Sequence, residues 1–188
     1  MVKPAEILRG LVEIPSVSSL SNVPVVNYAL KFLNGFTVER YPYTDPAGTA
    51  KLNIVAATQR GPSELALVCH TDTVPFDPDW AEAVNPQVRG GKLYGRGTTD
   101  MKGFVATCLA MVPEMQHANL ATPIHLAISY DEEIGCVGVA HFGEFRLNFA
   151  ANGRGRGIRP RRNLRQLVLA DRFFQLFSEF AKKFLLVI

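Results

Sequence analysis

The sequence predicts an α/β fold, with a mostly parallel mixed sheet and helices on both of its faces. Two observations lead to this prediction. Short β-rich runs alternate along the chain with segments of helical spacing, which is the order that builds a sheet covered by helices. The chain has 188 residues, of which 47% are hydrophobic, so it can bury one core but is too short for two large domains.

Two helices are predicted at the start of the chain. The first covers Pro4–Val12 and stops before Pro15. The second covers 22–33 and is closed by Gly35, because glycine commonly ends a helix. We interpret both as packing helices.

The period then changes to that of β-strands. Runs of β-rich residues separated by Pro and Gly clusters predict strands at 36–43, 52–57, Leu65–His70, Lys92–Tyr94 and 124–130. Between the last two strands, 101–116 has helical spacing with little to break it before Pro113. We therefore predict one helix there.

The last quarter of the chain differs in charge from the rest. Residues 1–143 hold 10 Lys and Arg against 14 Asp and Glu, whereas 144–188 hold 10 against 3. A break this sharp indicates two parts. We predict a main domain over 5–142 and an atypical tail over 143–188.

The predicted tail has two segments. A Gly/Arg-rich linker covers 152–162, and Phe and Leu residues recur at helical spacing over 163–188. We interpret the Phe stripe as a surface that packs on the sheet or on another subunit, with a membrane surface as the alternative.

Composition also limits the class of protein. No run approaches the roughly 18 apolar residues of a membrane-spanning helix, and the N-terminus lacks the order of a signal peptide, so we expect a cytoplasmic protein. Three cysteines, Cys69, Cys108 and Cys136, lie in apolar segments. An odd number in such positions predicts buried thiols instead of a disulfide framework.

The first chemical motif is His70-Thr71-Asp72, at the end of the strand Leu65–His70. Because side chains alternate faces along a strand, His70 and Asp72 are expected to point to the same side. A carboxylate there can fix the tautomer of His70 and leave its other ring nitrogen free for a metal. Many such pairs merely end strands, so the motif alone is weak.

The second motif places Asp100 between the Gly-rich turn Gly95-Arg96-Gly97 and the predicted helix. Glycines let the backbone approach closely. The alternative is that Asp100 is simply the N-cap of that helix, a position that favours Asp.

The third motif is the acidic run Asp131-Glu132-Glu133, directly after the strand 124–130. A solvated charge run is one explanation. However, the next segment, 134–139, is small and apolar and is expected to pack, which would leave the carboxylates beside a buried turn. Like charges held there need a compensating cation.

The three motifs together predict a metal site at strand ends in one sheet. Imidazole and carboxylate ligands suit zinc first, with cobalt or manganese as alternatives. One acidic residue is left over, and such a group is suited to act as a general base.

The same segments resemble the M20 family of metallopeptidases. They are HTDTVPFD at 70–77, GKLYGRG at 91–97, DMKG at 100–103 and DEE at 131–133. Within the family, the runs TVPFD at 73–77 and YDEEIGC at 130–136 most resemble the acetylornithine deacetylases. The likeness covers 5–142, which would make this part an incomplete zinc-exopeptidase-like catalytic domain.

The resemblance implies a role for each site residue. His70 would bind one metal, Asp100 would bridge two, and Glu133 would bind the other. Asp72 would orient His70, and Glu132 would be the general base that passes a proton to the leaving amine. The substrate would be a small acylated amino acid such as N-acetylornithine, with two Zn²⁺ per complete site. The peptide bond between Asp100 and Met101 would be cis.

Near Gly143 the resemblance is expected to stop. Family members continue to another acidic ligand, a dimerisation domain and a distant His ligand, and His141 and Glu144 lie too early to match them. The family is homodimeric, but the dimerisation domain has no counterpart here, and no specific nucleic-acid module is visible. We therefore expect an impaired chain that holds two metals poorly.

Two alternatives stay open. The substrate could be succinyl-diaminopimelate, another acylated amino acid or a dipeptide, or the chain could be a non-catalytic fragment. The composition change near Gly143 is also what a mis-joined reading frame would produce, and resequencing that finds an intact frame would reject this hypothesis.

Overall fold

The computed structural model describes residues 3–61 and 65–142. Within these residues the chain forms four α-helices and six β-strands. In chain order they are α1 (Pro4–Val12), α2 (Val23–Leu30), β1 (Thr37–Thr44), β2 (Ala50–Ala57), β3 (Leu65–His70), β4 (Gln87–Arg89), β5 (Lys92–Tyr94), α3 (Gly103–Ala110), α4 (Val112–His117) and β6 (Ile124–Ser129). The predicted tail over 143–188 lies outside the described residues.

The main sheet has the strand order β1-β2-β6-β3. Strand β3 pairs with β6 in parallel, whereas β1 with β2 and β2 with β6 are antiparallel. The α/β class and the mixed sheet are therefore confirmed, but in the described part the sheet is not mostly parallel. The reason lies in the connections: a turn between Thr44 and Ala50 is too short for a crossover, whereas β3 and β6 are joined through two helices.

The core lies between one face of this sheet and the helices. Alternate strand residues, including Ile54, Leu126 and Ile128, belong to one hydrophobic cluster with buried side chains of all four helices. On the opposite face, Val55 and Ala127 pack with Phe142. In the described part the four α-helices therefore pack on one face, and Phe142, which follows the 3₁₀ helix Val137–His141, packs on the other.

Two predicted helices end or break early. The segment 101–116 forms α3 and α4, and Pro113 lies in the first turn of α4. Proline lacks an N–H, so it suits the start of a new helix better than the interior of a continuous one. Helix α2 ends at Leu30, after which Phe32 and Leu33 donate to carbonyls three residues back.

The sequence prediction missed strand β4. It pairs with β5 across Gly90 and Gly91, which have φ values of 57° and 74°. A Gly-Gly pair between two short runs is a known hairpin signal, and only the brevity of these strands hid it. No helix within 3–61 and 65–142 is long and apolar enough to cross a bilayer.

Candidate metal centre

Strands β3 and β6 bring the first and third motifs to one edge of the sheet. Their parallel register sets His70 opposite Ser129, and the N–H of Thr71 donates to the Ser129 carbonyl at 3.1 Å. Both strands therefore end at the same edge of the sheet, and the carboxyl ends of strands are where open α/β sheets place their sites. Asp72 follows one strand end and Glu132 the other.

His70 is buried, and its two ring nitrogens face different partners. Nδ1 lies 3.3 Å from Oδ1 of Asp72 and 3.1 Å from the Asp72 main-chain oxygen. Nε2 lies 3.2 Å from Oδ1 of Asp100 and 3.6 Å from Oε2 of Glu132. Because both oxygens that face Nδ1 are acceptors of Asp72, one from its side chain and one from its main chain, a proton on Nδ1 is favoured. This leaves Nε2 as the atom available to a metal.

Asp100 is held in a turn of unusual geometry before α3. Gly97 has a φ of 78°, and an added Cβ there would lie 2.7 Å from the Thr73 side chain, so this position requires glycine. The peptide bond between Asp100 and Met101 is cis, as the family resemblance implied. Two residues on, Lys102 anchors the turn, because its buried Nζ donates to the carbonyls of Leu11 and Ile14 at 2.9 Å each.

The N-cap alternative for Asp100 is wrong. Helix α3 begins at Gly103 with Lys102 in the cap position, and no side chain caps it. The Asp100 carboxylate is instead 71% exposed and reaches towards His70. It is therefore free to bind a ligand from outside the protein.

Asp72 joins the first motif to the third. Its Oδ1 accepts the N–H of Glu132 at 3.1 Å, and its Oδ2 accepts the N–H of Glu133 at 3.1 Å and the hydroxyl of Ser18 at 2.8 Å. Burial raises the pKa of Asp72, but hydrogen bonds from His70, Ser18 and the two N–H groups outweigh it and hold the pKa below its usual value. Asp72 therefore stays ionised at neutral pH.

The third motif divides into unlike parts. Asp131 is buried and forms an ion pair with Lys51, whose Nζ lies 2.8 Å from its Oδ1. Glu132 and Glu133 point instead towards His70 and Asp100. The cation that compensates Asp131 is thus a lysine that sequence reasoning missed. A single Lys inside the apolar run 50–57 was the available signal, since lysine is rarely buried unless paired.

The segment after the acidic run is not packed as predicted. Ile134 is 59% exposed and Val137 45%, and Cys136 is an exposed thiol 3.5 Å from Oε1 of Glu132. Cys69 and Cys108 are buried as predicted. The turn closes on itself, because the N–H groups of residues 135 and 136 donate to the Glu132 carbonyl, so the apolar side chains project outwards.

His70, Asp100 and Glu133 together could hold a metal ion. One ligand atom from each lies within 4.8 Å of the others. Zinc binds such atoms at about 2.0–2.2 Å, so three atoms this close together can face one ion. A nitrogen with two carboxylate oxygens is a donor set that zinc accepts, and the residues therefore fit the ion.

Electrostatics at this edge also favour a cation. Burial, followed by the charge of Asp100, raises the pKa of Glu133. Burial lowers the pKa of His70, but the hydrogen bond and charge of Asp72 and the charges of Glu132 and Asp100 outweigh it and raise the pKa to about 9. Without a metal, His70 is thus the cation that balances these carboxylates.

Comparison with known proteins gives one family. The sequence profile of peptidase family M20/M25/M40 matches residues 66–169. Acetylornithine deacetylases of Myxococcus xanthus and Photorhabdus laumondii are 36% and 33% identical to this chain, covering 76% and 82% of it. These alignments cover 38% and 43% of the two relatives, so the chain spans about two fifths of their length. The profile match continues past residue 142, where the likeness was expected to end; the division at 142/143 stays a prediction.

Solved structures share the fold. The M20 family metallo-carboxypeptidase Sso-CP2 from Sulfolobus solfataricus superposes with a TM-score of 0.61 at 22% identity, over 79% of this chain and 35% of that one. Human carnosine dipeptidase 1 gives a TM-score of 0.56 at 24% identity, over 72% of this chain and 33% of that one.

Proposed function

Because the chain belongs to peptidase family M20/M25/M40, we propose that its site hydrolyses a linear amide bond of a small acylated amino acid, with N-acetylornithine as the first candidate. That reaction would serve arginine biosynthesis in the cytoplasm. The substrate rests on the acetylornithine deacetylases among the relatives, each matched over about two fifths of its length.

In this proposal His70, Asp100 and Glu133 hold the metal. Zinc is the first candidate for its identity, with cobalt or manganese as alternatives. When bound, a divalent ion of this kind polarises an amide carbonyl and lowers the pKa of water. Asp72 keeps His70 in the orientation and tautomer that present Nε2.

Glu132 is proposed as the general base. Its carboxylate is 41% exposed and lies 3.6 Å from Nε2 of His70, next to the ligand group but outside it. It would take a proton from water as the water oxygen bonds to the acyl carbon, and would return that proton to the nitrogen as the C–N bond breaks. The second proton of the water stays on the acyl oxygen until the C–N bond breaks and then passes to the amine, so the products are a carboxylate and a protonated amine and both atoms and charge balance.

One observation carries the proposal: a buried imidazole nitrogen faces two exposed carboxylates at 3.2 and 3.6 Å, in a chain of a metal-dependent family. A base beside a ligand set, at the open edge of a sheet, is the arrangement that amide hydrolysis needs.

Glu132→Gln tests the role of the base. The substitution removes a proton acceptor and no ligand, so turnover is expected to fall by roughly 10²–10⁴-fold with unchanged metal content. Metal content is measured by elemental analysis and turnover with N-acetylornithine. Glu6→Gln, at an exposed position of α1, is the matched control and should leave both unchanged. Equal loss of metal and turnover in Glu132→Gln would make Glu132 a ligand instead.

A panel of substrates tests specificity. N-acetylornithine, N-succinyl-diaminopimelate, other acylated amino acids and dipeptides are assayed side by side at high enzyme concentration. Preference for a dipeptide would keep the chemistry and change the substrate.

A metal-binding but inactive chain is the second candidate function. It is favoured by the ligand group of the described residues, which offers three side chains, enough for one ion but not for two. Bound zinc with no hydrolysis of any member of the panel would support it.

A further inference from the structure

A ring of buried polar contacts lies behind the acidic turn, outside the proposed ligand set. Lys51, on β2, uses all three of its donors. Its Nζ donates to the carbonyls of Ser18 and Leu20 at 2.6 and 2.9 Å and to Oδ1 of Asp131 at 2.8 Å. The side chains of Lys51 and Asp131 are 1% and 7% exposed, so solvent cannot replace these contacts.

Ser18 links this lysine to the candidate metal centre. Its carbonyl accepts from Lys51, and its hydroxyl donates to Oδ2 of Asp72 at 2.8 Å. Asp72 in turn accepts the main-chain N–H groups of Glu132 and Glu133. The contacts therefore close on themselves, because Glu132 directly follows the Asp131 that Lys51 holds.

Asp131 also controls the direction of the chain. Its φ of 53° lies in the left-handed region, which non-glycine residues seldom adopt. This bend turns the backbone at the end of β6, so that the next two N–H groups point at Asp72 and the next two side chains reach the site. A contact that fixes Asp131 therefore fixes where Glu132 and Glu133 start.

We propose that Lys51 is a positioning residue for the candidate metal centre: by holding Asp131 and the Ser18 carbonyl, it sets the backbone from which the side chains of Glu132 and Glu133 reach this centre. Lys51 touches neither metal nor substrate. The part that concerns metal rests on the proposed function, whereas the part that concerns the backbone does not.

Two variants of the full 188-residue chain separate positioning from general stability. Lys51→Met keeps most of the aliphatic stem and removes the donors, leaving the Asp131 charge buried and unpaired, so the chain should be less stable. Lys51→Met combined with Asp131→Asn removes that charge as well, and Asn tolerates the left-handed conformation. The double variant should recover much of the stability and none of the positioning.

The first measurement needs no metal. Amide hydrogen exchange of Glu132 and Glu133 reports whether their N–H groups stay bonded to Asp72. Both variants are expected to exchange these amides at least about tenfold faster, whereas amides of α1 change only with global stability. Leu8→Ala is the control, because Leu8 is fully buried in α1 and its truncation destabilises the core. Leu8 is not one of the residues of the polar ring, which are Lys51, Ser18, Asp72 and Asp131.

The second measurement is Co²⁺ affinity, followed by the absorption bands of the bound ion. Loss of a supporting contact commonly costs about 10- to 100-fold in metal affinity, and this loss is expected in both Lys51 variants. Leu8→Ala should keep the wild-type affinity while folded.

The outcomes are distinct. If the double variant regains wild-type exchange and Co²⁺ affinity together with stability, or if Leu8→Ala loses as much affinity, Lys51 is merely structural and the proposal is wrong. If the wild-type chain shows no Co²⁺ binding that His70→Ala abolishes, the proposed function fails, and the exchange data still decide whether Lys51 positions the turn.

Discussion

Asp72→Asn is expected to destabilise the chain by about 2–5 kcal/mol, although the change replaces one oxygen by NH₂. Each carboxylate oxygen of Asp72 accepts one main-chain N–H, from Glu132 or from Glu133. Whichever way the amide is turned, its NH₂ faces one of these donors, and an unsatisfied buried N–H costs about 1–3 kcal/mol. Loss of charge weakens the remaining bonds by about 1 kcal/mol each. Asp72 is 1% exposed, so water does not reduce this cost.

The assay is urea unfolding at pH 7 of the metal-free chain, followed by circular dichroism. Asp77→Asn is the matched control, because the chemical change is the same at an exposed carboxylate that accepts one N–H, from Asp79 at 2.9 Å. The control should stay within about 0.5 kcal/mol of wild type. An Asp72→Asn loss no larger than that of the control would show that Asp72 does not hold the acidic turn.

Three further predictions concern pH, metal content and packing. In the metal-free chain, the His70 pKa of about 9 lies above the unfolded value of 6.5, so the stability from His70 is full below pH 6.5 and is lost as pH rises through 9. Burial lowers the Lys102 pKa to about 7, so the contribution of Lys102 to stability rises with pH instead of falling. The test is therefore the difference in unfolding free energy between wild type and His70→Gln, measured across this pH range. A difference that does not vary with pH would contradict the prediction for His70. At most one zinc per chain is expected after dialysis against a chelator, and elemental analysis that finds two would contradict this. Gly138→Ala should lower the melting temperature, because an added Cβ would lie 1.9 Å from the Tyr130 carbonyl oxygen; an unchanged melting temperature would refute this packing.

The sequence patterns that worked were local ones. The bounds of α1 and β3 are as predicted, because a helical period and a short apolar run between breakers are each complete within one segment. The strand directions failed because direction depends on the connections between segments: a turn of five residues forces β1 and β2 antiparallel, whatever their composition. Pro113 was likewise visible, but whether it ends a helix or starts one depends on the packing around it.

Of the site, the chemical residue types were predictable and their division of labour was not. Strand ends placed His70 and the acidic run at one edge, and the structure brings them to Asp100 as expected. The three adjacent acids looked equivalent in sequence, yet one pairs with a lysine 80 residues earlier and two face the candidate metal centre. The chain bends between them, because Asp131 has a left-handed φ of 53°, a feature that no composition or period encodes. A motif of like charges therefore predicts that a cation is needed, but only tertiary structure shows that Lys51 pairs with one carboxylate while the other two face the candidate metal centre.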